Sequence, residues 1–355
     1  MKYNFINDYN QIGHPKILKK LLDINEANYG YQEDIYSVAL QNKFRELTDC
    51  KLNLYDVSAG TQTNMILISK ALKNYEAVIC VDSGHINVHE TGAIEGSGHK
   101  VLYVKGENGK ISVNRIKEVL SLHGDYHMVK PKMVYISNTT EIGTVYKLNE
   151  LKEIYDFCKK NSLYLYIDGA RLAYALASKE CDYTIKDIAN NCDAFYLGGT
   201  KVGLPYGEAL LIKNDELNFE FKYHLKNKGG LLAKSFVVSI MFLELLKDDL
   251  YLQIAKHAND CLEIIYRGLI DLNIPVKDTA SNQLFIEFDN EIINKLQEKY
   301  EFEYWIKGEK RSTIRLVSSF ATTKESCEQF VNDLKNVYNL WKKWVRFHEN
   351  RNCFH

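Results

Sequence analysis

The stretch LYLYIDGARLAYALASKECDYTIKDIANNCDAFYLGGTKVG (163–203) decides how this chain is read. It holds two apolar runs, LYLYID (163–168) and DAFYLG (193–198), that read as strands. Near-continuous apolar strands are expected where helices cover both faces of a parallel sheet. The first run ends on Asp168-Gly-Ala-Arg171 and the second on Gly198-Gly-Thr200-Lys201-Val-Gly203. Open parallel sheets bind ligands outside the carboxyl ends of their strands, so both segments are candidate site elements. Asp168 either faces that crevice or caps the RLAYALA segment that follows.

Outward from this stretch, AVICVD (77–82), VLYV (101–104), KMVYIS (132–137) and EALLIK (208–213) read as further strands. Helical periodicity marks PKILKKLL from Pro15, residues 62–72, VNRIKEVLSL behind a Ser112 N-cap, and LNELKEIYDFCKKN. The alternation predicts an α/β domain with a mostly parallel sheet flanked by helices. After about residue 235 the rhythm changes to long helical stretches at 233–246 and 250–272. Strands QLFIEF (283–288) and TIRLV (313–317), a helix near 291–300 and a closing helix complete the chain. The expected division is a large domain over 1–248, its N-terminal segment packing on the other domain, and a smaller α+β domain over 249–355.

A length of 355 residues fits about two domains. Hydrophobic residues at 46% and charged residues at 26% exclude disordered and collagen-like classes. A formal net charge of -1 argues against a nucleic-acid partner. The basic, aromatic tail WKKWVRFHENRNCFH reads as the end of an amphipathic helix rather than a nucleic-acid arm. No apolar run is long enough for a membrane span, and MKYNFINDYNQ lacks the apolar centre of a secretory signal. Eight cysteines without a CxxC pair read as reduced, buried thiols, and a cytoplasmic location is expected.

Lys201 follows glycines that allow close backbone approach to a ligand. The GxxxxGK[ST] spacing of a P-loop is absent, which argues against a nucleoside triphosphatase. A lysine at a sheet crevice can instead form a Schiff base if its surroundings deprotonate it in part. Ser58-Ala-Gly60-Thr61-Gln-Thr-Asn64 opens a helix whose free N–H groups suit a phosphate, although many such starts are plain caps. His85 and His89 stand at i and i+4, but Ile86 occupies the place where a zincin has glutamate, so no metal is expected.

Taken together, the phosphate cup, the strand-end Asp168 and Lys201 make the chain resemble the pyridoxal-phosphate enzymes of the aspartate aminotransferase fold type (fold type I). More narrowly, it resembles the threonine aldolase and β-eliminating lyase family. The matching segments are SAGTQTN, GHINVHETGAIE (84–95), YIDGARLAYAL, LGGTKVGLPYGEALL and TIRLVSSFATT (313–323), with Tyr31-Gln-Glu-Asp34 similar to the family's Tyr-Gly-Glu-Asp. The resemblance implies pyridoxal 5′-phosphate carried on Lys201, with Asp168 at the pyridine nitrogen and His85 stacked over the ring. It implies phosphate contacts from Gly60, Thr61 and Thr200, with Lys234 in the region where the family supplies a basic contact from a neighbouring subunit. Arg171 and Arg315, with Tyr31, would bind the substrate, the guanidinium forks holding its α-carboxylate. Arg315 read by itself could equally be a snorkelling strand residue.

The implied activity is cleavage of a β-hydroxy-α-amino acid, threonine-like, to glycine and an aldehyde, in a homodimer or homotetramer with shared active sites. One departure bears on it. The family's aldolases have Asn-Thr-His where this chain has Asn138-Thr139-Thr140. The histidine acts near the departing β-hydroxyl, and a threonine is no comparable base at neutral pH. The rival readings are β-elimination or decarboxylation on the same cofactor, and a non-catalytic protein of the same fold.

Overall fold

The computed structural model describes residues 2–277 and 279–352, with side chains up to residue 343. Cys353 and the two residues after it lie outside the described residues, as do the side chains of the tail read above as a helix end. Its strands are β1 (Tyr3–Asn4), β2 (Asn53–Val57), β3 (Glu76–Val81), β4 (Lys100–Val104), β5 (Lys130–Ser137), β6 (Tyr164–Asp168), β7 (Ala194–Gly198), β8 (Glu208–Ile212), β9 (Gln283–Asp289), β10 (Tyr300–Glu301), β11 (Glu303–Ile306) and β12 (Arg311–Val317). Seven of them form one sheet in the order β2-β8-β7-β6-β5-β3-β4. Only β8 runs against its neighbours. This is the mostly parallel, helix-flanked sheet expected from the sequence.

The apolar runs explain the sheet's depth. In β6, Leu165 and Ile167 enter one core while Tyr164 and Tyr166 enter the core on the opposite face. That is the two-residue period of a strand, with apolar residues on both sides because both faces are covered. Ser112 caps its helix, accepting from the Arg115 N–H. A second, three-stranded antiparallel sheet, β11-β12-β9, builds the small domain. The helix Leu250–Asp271 begins where the boundary was expected, yet it serves both domains. Its Ile254, Ala255 and Ala258 pack in the large core, and its Cys261, Leu262, Ile265 and Leu269 in the small one. Among the described residues, no helix is long and apolar enough to cross a membrane.

Two elements escape the sequence pattern. The helix Ile35–Thr48 leaves Ile35 and Val38 exposed, which blurs its apolar face. Strand β2 is short and buries the carboxyl of Asp56, whose pKa burial pushes up to about 7.

Two backbone joints set the site. At the ends of β6 and β7 the chains touch: the Gly198 N–H donates to the Gly169 carbonyl at 2.9 Å. A Cβ on Gly169 would stand 1.8 Å from the Tyr196 carbonyl oxygen. The second joint is the N-terminal strap. Here β1 pairs with β10, the Val317 N–H donates to the Phe5 carbonyl, and Asp8 reaches between the domains. Asp8 accepts from Arg171 Nε at 2.9 Å and Nη2 at 3.1 Å, and from Asn282 Nδ2 at 2.9 Å. Burial opposes the Asp8 charge, but Arg171, Lys201 and these hydrogen bonds outweigh it and hold the carboxyl below its usual range.

Gly169→Ala is therefore expected to lower the unfolding free energy by about 3 kcal/mol or more, through overpacking against fixed backbone. Gly96→Ala, whose Cβ meets nothing within 4 Å, should be neutral or stabilising by about 0.4–1 kcal/mol. Urea titrations of the two variants check both signs. Asp8→Asn breaks a buried ion pair and should cost about 3–5 kcal/mol near neutral pH. Because the folded pKa is depressed, the parent holds this stability above the ordinary carboxylate pKa of about 4 and loses it as pH falls through the folded value. The stability gap between parent and variant should thus close in acid, and a constant gap from pH 7 to pH 2 would refute the assignment.

Candidate active site

At the carboxyl ends of the parallel strands lies a cavity of about 590 Å³, closed on one side by β11 and β12. Gly60, Thr61, His85, Asp168, Arg171, Thr200, Lys201 and Arg315 all line it. The fold thus gathers into one space residues that the sequence scatters over more than 250 positions.

Asp168 ends β6 and is buried. It does not cap a helix through a free edge; instead four donors hold it. Tyr135 Oη (2.6 Å) and Asn64 Nδ2 (3.0 Å) donate to Oδ2, while Tyr196 Oη (2.6 Å) and the Ala170 N–H (3.0 Å) donate to Oδ1. Burial opposes its charge, but His85 and these bonds prevail, and the carboxyl sits below its ordinary pKa. Asn64 also donates to Glu90 at 2.6 Å and accepts from Tyr166 Oη at 2.7 Å. Glu90 in turn meets His85 Nδ1 at 2.7 Å. Burial disfavours the imidazolium, yet Glu90, Glu141 and Asp168 together raise the His85 pKa. An unbroken chain of hydrogen bonds therefore runs from His85 to Asp168.

Lys201 sits in a 3₁₀ turn, Thr200–Val202, directly after β7. Tyr174 Oη clamps its carbonyl at 2.6 Å, and buried Glu208 accepts from the Gly199 N–H at 2.9 Å. Burial, with Arg171 beside it, lowers the pKa of the Lys201 amine. The Glu208 carboxyl is pushed up to about 7 by burial. The helix Gly60–Ala71 opens with Ala59 at its N-cap and no side-chain cap, so its first N–H groups stay open to an anion. An uncapped helix start, a buried carboxylate held ionised and an amine biased toward its neutral form together fit pyridoxal 5′-phosphate. They suit, in turn, its phosphate, its ring nitrogen and its aldehyde.

Both arginines stand in the wall, and both are already held. Arg171 spends its Nε and Nη2 on Asp8. Arg315, on β12, donates to Gln283 Oε1 at 3.2 Å and to Glu303, and it stacks on Trp305 at 5.2 Å. Trp305 also meets His89 at 5.7 Å and Phe285 at 5.1 Å, an aromatic side to the cavity. Tyr31, expected at the substrate, is not brought here, and neither are Lys234 and Thr140. Tyr31 lies 42% exposed under Lys226, because the loop before the helix Ile35–Thr48 carries it away. Lys234 is exposed at the start of the helix Ser235–Leu245. Thr140 is buried, and its hydroxyl is tied to Thr144 Oγ1 at 2.7 Å.

Sequence reading missed Asn64, Glu90, Glu141, Glu208, Trp305, Asp8 and the tyrosines. The tyrosines left a signal: Tyr135, Tyr166 and Tyr196 each stand two residues before the last residue of β5, β6 and β7. One face of the sheet therefore presents three hydroxyls beside Asp168.

A profile of the family described as beta-eliminating lyase matches residues 10–291. The low specificity L-threonine aldolase of Pseudomonas aeruginosa is 30% identical over 323 residues, 88% of this chain and 92% of that one. The Escherichia coli K12 low specificity L-threonine aldolase is 24% identical over 264 residues, 74% of this chain and 77% of that one. Among solved structures, the threonine aldolase of Leishmania major superposes with a TM-score of 0.92 at 41% identity, covering 94% of this chain and 99% of that one. A Thermus thermophilus aspartate aminotransferase, at 12% identity and a TM-score of 0.66 over 95% and 91% of the two chains, shares the fold alone. The open phosphate cup, Asp168 and Lys201 stand in the fold these comparisons require, and the chain belongs to the beta-eliminating lyase family of pyridoxal-phosphate-dependent enzymes.

Proposed function

We propose that the protein is an aldolase that cleaves a β-hydroxy-α-amino acid, threonine-like, into glycine and an aldehyde. The observation that carries this reading is the single cavity that joins Lys201 and Asp168 to two guanidinium groups. The names of the relatives, threonine aldolases from bacterial and eukaryotic sources, support the same substrate class.

When bound, the cofactor supplies a protonated pyridine ring that draws off the electron pair left at Cα. The chain's own residues do the rest. Lys201 would hold the cofactor, and the lowered pKa of its amine supplies the neutral nucleophile that this needs. Asp168, fixed by four donors, would hold a proton on the ring nitrogen, and His85, oriented by Glu90, would stand over the ring. The first turn of the helix Gly60–Ala71, with Thr61 and Thr200, binds the phosphate. Arg315 takes the substrate carboxylate in exchange for Glu303, whose side chain is 41% exposed and free to swing out. Arg171, braced by Asp8, offers its remaining Nη1. By fixing the carboxylate, this clamp would set the orientation of the bonds at Cα, a positioning effect on the reacting bond.

The subunits are read as a homodimer or homotetramer with shared sites. Ile12, Leu22, Tyr29, Tyr31, Ile35 and Val38 form an exposed apolar series on the N-terminal region, suited to cover by a second subunit. In such an assembly Tyr31 would serve a neighbour's site. Seven free cysteines among the described residues favour a reducing, cytoplasmic compartment.

Threonine and phenylserine should yield glycine and the matching aldehyde, whereas pyruvate and ammonia from serine or cysteine at higher rates would identify a β-eliminating enzyme instead. Lys201→Ala should abolish turnover and the visible absorbance of the bound cofactor. Asp168→Asn, nearly isosteric, should lower kcat by about 10²-fold or more, equal to roughly 2.7 kcal/mol of barrier. Arg315→Lys keeps charge but loses the fork, so KM should rise at least about tenfold. Steady-state kinetics of the three variants test these assignments, and wild-type rates in Asp168→Asn would end the role given to that carboxylate.

A further inference from the structure

Retro-aldol cleavage needs a base for the β-hydroxyl, and Thr140 does not supply it. The turn after β5 runs beside the Asp168 strand: Ser137 pairs with Asp168, and the Asn138 N–H donates to the Asp168 carbonyl at 2.9 Å. Within that turn Thr140 is consumed. Its hydroxyl meets Thr144 Oγ1 at 2.7 Å and accepts from the Thr144 N–H at 3.1 Å, and it does not line the cavity. The Gly143 N–H donates to the Thr140 carbonyl at 2.9 Å, which closes the turn tightly.

The next residue points the other way. Glu141 lines the cavity and is only 8% exposed. Among the described residues no side chain donates a hydrogen bond to its carboxylate or forms an ion pair with it. Every other acidic group lining the cavity is engaged: Asp168 by four donors, Glu208 by the Gly199 N–H and Glu303 by Arg315. The Glu141 charge is felt by His85, Lys201, Arg171 and His89, which places it among the groups that surround the reacting atoms. An unengaged, buried carboxylate facing a site is costly unless a ligand satisfies it.

We infer that Glu141 is the general base that removes the β-hydroxyl proton. The inference rests on the aldolase reading given above. In this step the O–H bond breaks and its proton passes to the Glu141 carboxylate. The freed oxygen pair forms the C=O π bond of the aldehyde as the Cα–Cβ bond breaks, its electron pair remaining on Cα. Cα then takes a proton, Glu141 returns its own to solvent, and glycine and aldehyde leave with no atom gained or lost. Within one turn the two neighbours thus divide the work: Thr140 closes the turn and Glu141 faces the cavity.

The experiment compares the holoenzyme with Glu141→Gln, Glu141→Asp and Thr140→Ser. Glu141→Gln should lower kcat for threonine roughly 10²–10⁴-fold, the usual worth of a general base. Its cofactor content, read from the visible spectrum, and its Kd for glycine, read by calorimetry, should stay within about threefold of the parent, because glycine has no β-hydroxyl. Glu141→Asp, which keeps a carboxylate, should recover at least about tenfold over the Gln variant. Thr140→Ser keeps the turn hydroxyl and should cleave at the parent's rate. Cleavage by Glu141→Gln within threefold of the parent overturns the proposal. So does an equal loss of glycine affinity and turnover, which would make Glu141 a scaffold residue, and so does an Asp variant no faster than the Gln one. A parent that releases glycine from no β-hydroxy amino acid would instead remove the aldolase reading itself, a result separable from all of these because it precedes any substitution.

Discussion

The site depends on keeping one negative charge inside the sheet. Asp168 is buried, and a bare buried carboxylate would cost many kcal/mol or simply take up a proton. The fold answers with two phenols, an amide and a backbone N–H, delivered from the two strands that flank β6, one helix and the turn after β6. The delivery needs the register: Tyr135 pairs with Tyr166, and Ser137 with Asp168. A slip of one residue in any of these strands would turn the phenols to the other face. The same phenols fill the core on that face, so the electrostatics and the packing share atoms.

The small domain completes what the sheet begins. Its β12 supplies Arg315, and its β11 supplies Glu303 and Trp305. These groups reach the cavity because the helix Leu250–Asp271 is common to two cores, so a shift of one domain against the other must bend or tilt that helix. Glu303 gives Arg315 an internal carboxylate, which spares a buried guanidinium from standing unpaired.

Much of this was legible in the residues. Apolar runs ending in Asp168-Gly and Gly198-Gly disclosed the parallel strands and the crevice, and the resemblance carried by the segments around Asp168 and Lys201 implied the cofactor. What stayed hidden has a physical cause in each case. Asp8 and Arg171 are local neighbours of nothing in sequence, and only the folded strap joins them. Strand β11 is half-exposed and its pairing with β12 shifts register, so EYWI shows no clean alternation. The direction of the Thr140 side chain could not be read either, because it is set by a turn that closes on Thr144. Tyr31, matched by motif, is carried away from this chain's own cavity because its surroundings are decided by tertiary packing.

The strap has a consequence for how the protein is made. Residues 3–5 are made long before their partners Tyr300, Glu301 and Val317. The large sheet can assemble while synthesis continues, since domains tend to fold as they appear. During that interval Arg171 has neither Asp8 nor the Asn282 bridge in place. The wall that Asp8 and Arg171 share is therefore completed only after residue 317 has been made and the strap has closed on it. The strap that braces Arg171 is thus made early and set in place late.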